Sequence, residues 1–177
     1  DCSWGSALGD GTDTEVFGLS AEEYKSQLLK VNNLALEGKP EDMIVTSHIC
    51  RGNYHSTFFS SGAYDPVADY VFAKENVDAL FLEYDDERSG GFEPLKKVSS
   101  DKKVVLGLIT TKSPVLENKE DVISRIYEAA KYVPLERLCL SPQCGFASCE
   151  IGNKLTEEQQ WAKLKLVKEI AEEVWGK

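Results

Sequence analysis

The stretch Ile44-Val-Thr-Ser-His-Ile-Cys-Arg-Gly-Asn53 joins an apolar run to a His-x-Cys pair. The run over Met43–Ser47 has the length and composition of a short buried strand. His48 and Cys50 follow it, one residue apart, so both side chains should lie at the strand's end. An imidazole and a thiolate are ligands that suit zinc. Taken alone, however, the pair is better explained as a capped strand end and a buried thiol.

The same arrangement recurs later in the chain, where apolar runs typical of strands end just before polar residues that could do chemistry. These pairs are Ala79–Leu82 with Glu83, Val104–Ile109 with Lys112, and Leu138–Ser141 with Cys144. Because strands of a parallel sheet all point one way, residues that follow them meet at one edge. In parallel α/β folds that edge carries the active site.

Helical patterns separate these runs, over about 20–37, 65–75, 93–98 and 118–132, with a last helix beginning at Thr156. Ser20 and Thr156 each begin a capping box. In the last helix the apolar stripe includes Trp161, Leu164 and Val167. Alternation of short apolar strands with helices predicts βαβ units, hence an α/β fold with a helix-covered parallel sheet.

The number of units is half of what a closed barrel needs. Four βα units preceded by one helix correspond to half of an eight-stranded barrel, which typically takes about 250 residues. The chain has 177 residues, and we interpret 1–177 as a single domain, a partial TIM barrel. Open strand edges invite pairing. We therefore expect a homodimer, or association with a missing N-terminal half.

Composition narrows the range of partners. The net charge of −10 argues against nucleic acid or an anionic membrane as the main partner. No apolar run is long enough to span a membrane, and no basic and apolar leader precedes the first helix. The 5 cysteines are an odd number, which disfavours a disulfide framework. These features predict a cytoplasmic location with free thiols.

The residues after the strands suggest a metal site of defined chemistry. If His48, Cys50, Glu83 and Cys144 bind one Zn²⁺, two thiolates and a carboxylate make the site anionic. Such a site is better suited to holding a further thiol as a thiolate than to activating water. Glu83 is the ligand most easily displaced, being a carboxylate among softer ligands. The implied reaction is alkyl transfer to a sulfur.

Three segments carry a resemblance to a known family: His48-Ile-Cys-Arg-Gly-Asn53, Phe81–Leu95 and Leu140–Ser148. In this order they resemble the C-terminal catalytic barrel of cobalamin-independent methionine synthase, and especially its short single-barrel relatives. The resemblance implies the C-terminal half of a (β/α)8 barrel with zinc on His48, Cys50, Glu83 and Cys144. It also implies methyl transfer from 5-methyltetrahydrofolate to homocysteine, giving methionine.

The chain departs from the family's pattern in one motif. Thr111-Lys-Ser-Pro114 stands where the family has His-Ser-Pro, so the resemblance implies that Lys112 replaces the proton-donating His. It also implies that Asp1 belongs to the homocysteine site.

Two other functions stay open. One is a related thiol alkyltransferase with another donor or acceptor, of the corrinoid or coenzyme M type. The other is an inactive half-barrel fragment. For the 177-residue chain alone we expect no turnover.

Overall fold

The computed structural model describes residues 4, 5, 7 and 18–176 of the chain. Its strands are β1 Thr46–Ile49, β2 Ala79–Glu83, β3 Lys103–Ile109 and β4 Leu138–Pro142. Its α-helices are α1 Ala21–Ala35, α2 Asp65–Ala68, α3 Val71–Lys74, α4 Lys119–Ala129 and α5 Glu157–Trp175. Short 3₁₀ helices cover Glu87–Ser89, Glu93–Lys97 and Leu135–Arg137.

The four strands form one sheet in the order β1-β2-β3-β4, and each neighbouring pair is parallel. This confirms the predicted parallel sheet with all strands pointing one way. Consecutive strands are neighbours, as they are in a barrel, rather than being shuffled as in a doubly wound sheet. The C-terminal ends of all four strands therefore lie at one edge of the sheet.

The helix-facing side of the sheet holds the hydrophobic core. Leu80 and Leu82 of β2 and Leu106 of β3 are buried there. Ile126 of α4 and Ile170 of α5 are also fully buried and belong to the same cluster. Alternate residues of the strands point to the other side, so the next residues in each strand are available to build a site.

Gly107 allows β3 and β4 to approach closely near their C-terminal ends. It pairs with Glu83 on one side and Ser141 on the other. A Cβ at this position would lie 2.9 Å from the Cα of Gln143 and 2.8 Å from the carbonyl oxygen of Leu82. Glycine is therefore needed here for β4 to deliver its last residues beside Glu83.

Three predicted elements differ from those in the structure. The first strand is Thr46–Ile49 rather than 43–47, because Ile44 is 79% exposed and Val45 donates its N–H to the Asp78 carboxylate. The helix predicted over 65–75 is two short helices, α2 and α3, with a break at Asp69 and Tyr70. The segment predicted as a helix at 93–98 is a 3₁₀ helix over Glu93–Lys97.

The predicted helices α1 and α5 are confirmed, and both capping boxes are present. The predicted apolar stripe of α5 is confirmed only in part, because Val167 packs against the core but Trp161 does not. Trp161 is 59% exposed, and the buried residues are Lys163, Leu166 and Ile170. The side chain of Lys163 is buried, and its ammonium donates to the carboxylate of Glu117. Over residues 18–176 there is no helix long and apolar enough to cross a membrane.

Candidate metal centre

Four side chains at or just beyond the ends of three strands converge at the C-terminal edge of the sheet. They belong to His48, Cys50, Glu83 and Cys144, and one ligand atom from each lies within 4.8 Å of all the others. His48 is in β1, Cys50 directly follows it, Glu83 ends β2, and Cys144 lies just beyond β4. Residues as far as 96 positions apart in the sequence thus share one site.

Glu83 is fixed at the centre of this cluster. Its side chain is fully buried. The side-chain amide of Gln143 donates to Oε1 at 2.8 Å, and the backbone N–H of Arg51 donates to Oε2 at 3.2 Å. A guanidinium nitrogen of Arg88 lies 3.7 Å from Oε2. Hydrogen-bond donors thus hold the carboxylate in one orientation, which is what a ligand requires.

The side chains of the cluster shift one another's pKa values. Burial opposes the imidazolium, but hydrogen bonds with Cys50 and Glu83 outweigh it and raise the pKa of His48 to about 9. Hydrogen bonds from Cys144 and His48 lower the pKa of Cys50 far below that of a free thiol. The hydrogen bond with Cys50, together with burial, raises the pKa of Cys144. Without a metal the cluster therefore combines a thiolate, a thiol and an imidazolium.

The donor set fits zinc. Sulfur and imidazole ligands select zinc over magnesium or calcium. A tetrahedral zinc with bonds of about 2.0–2.3 Å holds its ligands about 3.3–3.8 Å apart. Since the four ligand atoms already lie within 4.8 Å of one another, they need to contract by only about 1 Å. A dication would also replace the protons that now balance these charges.

The model of the family described as "Cobalamin-independent synthase, Catalytic domain" matches residues 7–173. The chain belongs to this family. The resemblance inferred from the three sequence segments is therefore confirmed.

Similarity to individual proteins supports the assignment to the cobalamin-independent synthase family. The chain is 57% identical to Bacillus subtilis YxjG over 162 residues, which cover 91% of the chain and 43% of YxjG. It is 25% identical over 158 residues to a Bacillus licheniformis protein named 5-methyltetrahydropteroyltriglutamate–homocysteine methyltransferase, covering 88% of the chain and 18% of that protein. The chain thus spans less than half the length of these relatives.

A solved structure confirms the fold class. A Listeria monocytogenes protein, described as a candidate vitamin-B12-independent methionine synthase, matches the whole chain with a TM-score of 0.70 and 37% identity. The chain covers 47% of that protein. The α/β fold with a four-stranded parallel sheet is thus that of the TIM-barrel-like domains of cobalamin-independent synthases.

Lys112, which the resemblance in sequence puts at the position of the family's His, lies next to the cluster. Its ammonium donates to Oε1 of Gln143 at 3.0 Å and to Oδ1 of Asn53 at 3.3 Å. The same Gln143 side chain donates to Glu83, so one amide links the lysine to the carboxylate. Burial lowers the pKa of Lys112, although nearby Glu83 and Asp85 oppose that shift.

A cavity of about 300 Å³ opens beside the cluster. Its lining is His48, Phe81, Ser141, Pro142, Gln143, Cys144 and Gly145. Two of the four converging residues therefore face a space where a thiol-bearing molecule could enter. Asp1, which the resemblance implied for such a molecule, lies outside the described residues.

Sequence reasoning missed the residues that surround the cluster. The sequence predicted no role in the site for Gln143 or Asn53. Arg51 is fully buried, and its guanidinium donates to the Tyr64 hydroxyl at 2.7 Å and to the Glu83 carbonyl at 3.0 Å. The one available signal was position, because Arg51 and Gln143 directly adjoin Cys50 and Cys144.

Proposed function

We propose that this chain is the zinc-binding part of a methyltransferase that moves a methyl group from a 5-methyltetrahydrofolate donor to homocysteine, giving methionine. The observation that carries this proposal is the convergence of His48, Cys50, Glu83 and Cys144 within 4.8 Å. Membership in the cobalamin-independent synthase family supports the reaction class. The donor set supports zinc as the metal.

When bound, zinc would hold the acceptor thiol as a thiolate, the nucleophilic form. The reaction then breaks the bond between the methyl carbon and the donor nitrogen and forms a carbon–sulfur bond. The electron pair of the broken bond stays on the donor nitrogen, which takes up a proton.

Lys112 is our proposed source of that proton. Burial lowers its pKa, which makes the ammonium a stronger acid than a solvated lysine. Its contacts with Gln143 and Asn53 hold it beside the cluster rather than in solvent. Substituting Lys112 by Ala should slow methyl transfer and leave zinc content unchanged, whereas a loss of zinc would show a structural role instead.

The first experiment measures zinc per chain by elemental analysis in the wild type and in Cys50→Ser. We expect about one zinc per chain in the wild type and a large loss in the variant. Cys149→Ser is the matched control, because Cys149 is a free, partly buried cysteine that does not belong to the cluster. A wild-type chain without zinc would contradict the proposal.

Turnover requires a separate test, because the chain spans less than half the length of its relatives. We expect no methionine from homocysteine and a methyl-folate donor with the 177-residue chain alone. Detectable product would show this expectation to be wrong. Activity should appear with a protein that spans the full length of these relatives.

The second candidate function is transfer to or from a different molecule, of the corrinoid or coenzyme M type. Lys112 in place of His favours it, because an ammonium and an imidazolium differ in pKa and reach. Comparing donors and acceptors on the full-length protein decides between the two candidates. If methyl-folate and homocysteine are the fastest donor and acceptor, the result favours the first candidate function.

We also propose a cytoplasmic location and a pairing of the open sheet edges, β1 and β4, either in a homodimer or with a preceding half-barrel. Sedimentation of the chain at micromolar concentration tests the dimer. A monodisperse monomer would exclude self-association and leave the preceding half-barrel as the partner.

A further inference from the structure

The two cysteine loops leave opposite edges of the sheet. Cys50 follows β1 and Cys144 follows β4, and these are the outer strands of the four. Three strand spacings separate such strands by about 14 Å. The sulfurs nevertheless lie within 4.8 Å of each other. The hydrogen bonds of the sheet do not join β1 to β4, so contacts between the loops must hold these ends together.

Asn53 provides one such contact. It is 7% exposed and lies three residues after Cys50. Its side-chain amide donates to the carbonyl of Gly145, the residue directly after Cys144, at 2.6 Å. Its Oδ1 accepts from Lys112 at 3.3 Å. One side chain thus joins the loops that follow β1, β3 and β4.

Asn153 closes the same network from the other side. Its amide donates to Oδ1 of Asn53 at 2.9 Å and to the carbonyl of Thr111 at 2.7 Å. Its Oδ1 accepts the backbone N–H of Ser56 at 3.0 Å. All of these hydrogen bonds of the Asn53 and Asn153 side chains therefore join one loop to another.

The turn after Asn53 is shaped to meet this network. His55 and Ser56 have φ angles of 45° and 65°, in the left-handed region that residues other than glycine rarely adopt. The ring of His55 hydrogen-bonds the Gly152 carbonyl at 3.0 Å, and Ser56 Oγ accepts the N–H of Lys154 at 2.8 Å. The turn is thus bonded to the loop after β4 at several points, and these bonds fix the geometry between the two loops.

We propose that Asn53 and Asn153 are positioning residues that bring the cysteine loops of β1 and β4 together around the metal. This inference rests on the proposed zinc site. Neither asparagine is a proposed ligand, so the asparagines act through the placement of Cys50 and Cys144. It follows that the ligand cluster is assembled by contacts within this chain and does not need the barrel's other half.

Zinc affinity is the readout that tests the proposal, since it does not depend on turnover. Removing a group that orients metal ligands typically weakens affinity about 10- to 100-fold. We expect this loss in Asn53→Ala and in Asn153→Ala, measured on the 177-residue chain by competition with a chromophoric chelator. The fold-loss of zinc affinity in the double variant should be smaller than the product of the fold-losses in the two single variants, because both side chains belong to one network.

The matched control is Asn118→Ala. Asn118 caps α4 by accepting the N–H of Asp121 at 2.9 Å, so its loss also removes an asparagine hydrogen bond. It should leave the zinc affinity unchanged. Circular dichroism checks that each variant folds, and Asn153→Ala decides the question if Asn53→Ala does not fold, since Asn153 is the less buried of the two.

The outcomes separate this proposal from the metal assignment. Wild-type affinity in a folded Asn153→Ala variant, with zinc lost in Cys144→Ser, overturns the positioning role and leaves the zinc site standing. A wild-type chain that binds no zinc overturns both.

Discussion

Two buried charged groups at the same edge of the sheet are built in opposite ways. In the ion pair of Lys163 and Glu117, the ammonium donates to both carboxylate oxygens, at 3.0 and 2.9 Å, and to the Val115 carbonyl at 2.7 Å. The N–H of Thr110 also donates to Glu117. The three donors of the ammonium all have acceptors, so the pair is complete without a ligand.

The cluster of His48, Cys50, Glu83 and Cys144 is not complete in this sense. It places three acidic groups and an imidazole within 4.8 Å and balances them with protons held by His48 and Cys144. A bound dication would release those protons. The difference teaches that a buried charged group does not by itself indicate a binding site. A binding site is indicated when buried acidic ligand groups outnumber the cationic side chains that could neutralise them.

The largest expected effect comes from breaking the cluster with Cys144→Ser. Structural zinc sites bind with about 10–16 kcal/mol shared among four ligands, so losing one thiolate should cost about 2.5–4 kcal/mol of zinc binding. Chelator competition measures this loss. The metal-free variant should unfold at the same urea concentration as the metal-free wild type. Tight zinc binding by Cys144→Ser would show that Cys144 is not a ligand.

Breaking the ion pair with Lys163→Met should have the opposite result, lowering the stability of the fold but not the zinc affinity. Leaving the Glu117 carboxylate without its partner should destabilise the fold by about 3 kcal/mol, measured by urea denaturation. Zinc affinity of the folded chain should change little. Lys165→Met is the matched control, because the Lys165 side chain is 77% exposed on the same helix. An unchanged unfolding midpoint in Lys163→Met would show that the pair does not stabilise the fold.

The protons of the cluster predict a pH dependence of zinc binding. Below pH 9 the metal-free His48 is protonated, because its pKa is raised to about 9, and the raised pKa of Cys144 keeps that thiol protonated. Zinc requires both groups deprotonated, so binding at pH 7 should release about two protons. Affinity should then rise with pH, about 100-fold per unit, until pH 9 is approached. Calorimetry in buffers of different ionisation enthalpy measures the release, and binding without it would contradict these proton positions.

The sheet and the four converging residues could be predicted from the sequence because both follow from local patterns. Ala79–Glu83 is a short apolar run that ends in one carboxylate, and a parallel sheet puts such ends at one edge. The boundaries of the first strand could not be predicted, since Met43 and Ile44 are as apolar as a strand yet exposed.

The residues that surround the cluster could not be predicted, for a physical reason. Gln143 bonds Glu83 across 60 positions and Asn153 bonds Asn53 across 100, so neither contact leaves a local pattern. Lys163 was hidden for a similar reason. A lysine in a helix is expected in solvent, whereas Lys163 is buried against the Glu117 carboxylate, 46 positions away, and the Val115 carbonyl.

Lys112 lies beside the cluster, and its substitution by Gln should have the smallest effect. Its positive charge, close enough to Glu83 and Cys144 to interact with both, repels an incoming dication. Removing it should tighten zinc binding by about two- to fivefold at low ionic strength, and salt should shrink the difference. Lys154→Gln, on an exposed loop position, is the control. If Lys112→Gln instead weakens binding, then the hydrogen bond from Lys112 to Gln143 orients Glu83 more than its charge opposes the metal. In that case Lys112 belongs with the residues that hold the cluster together.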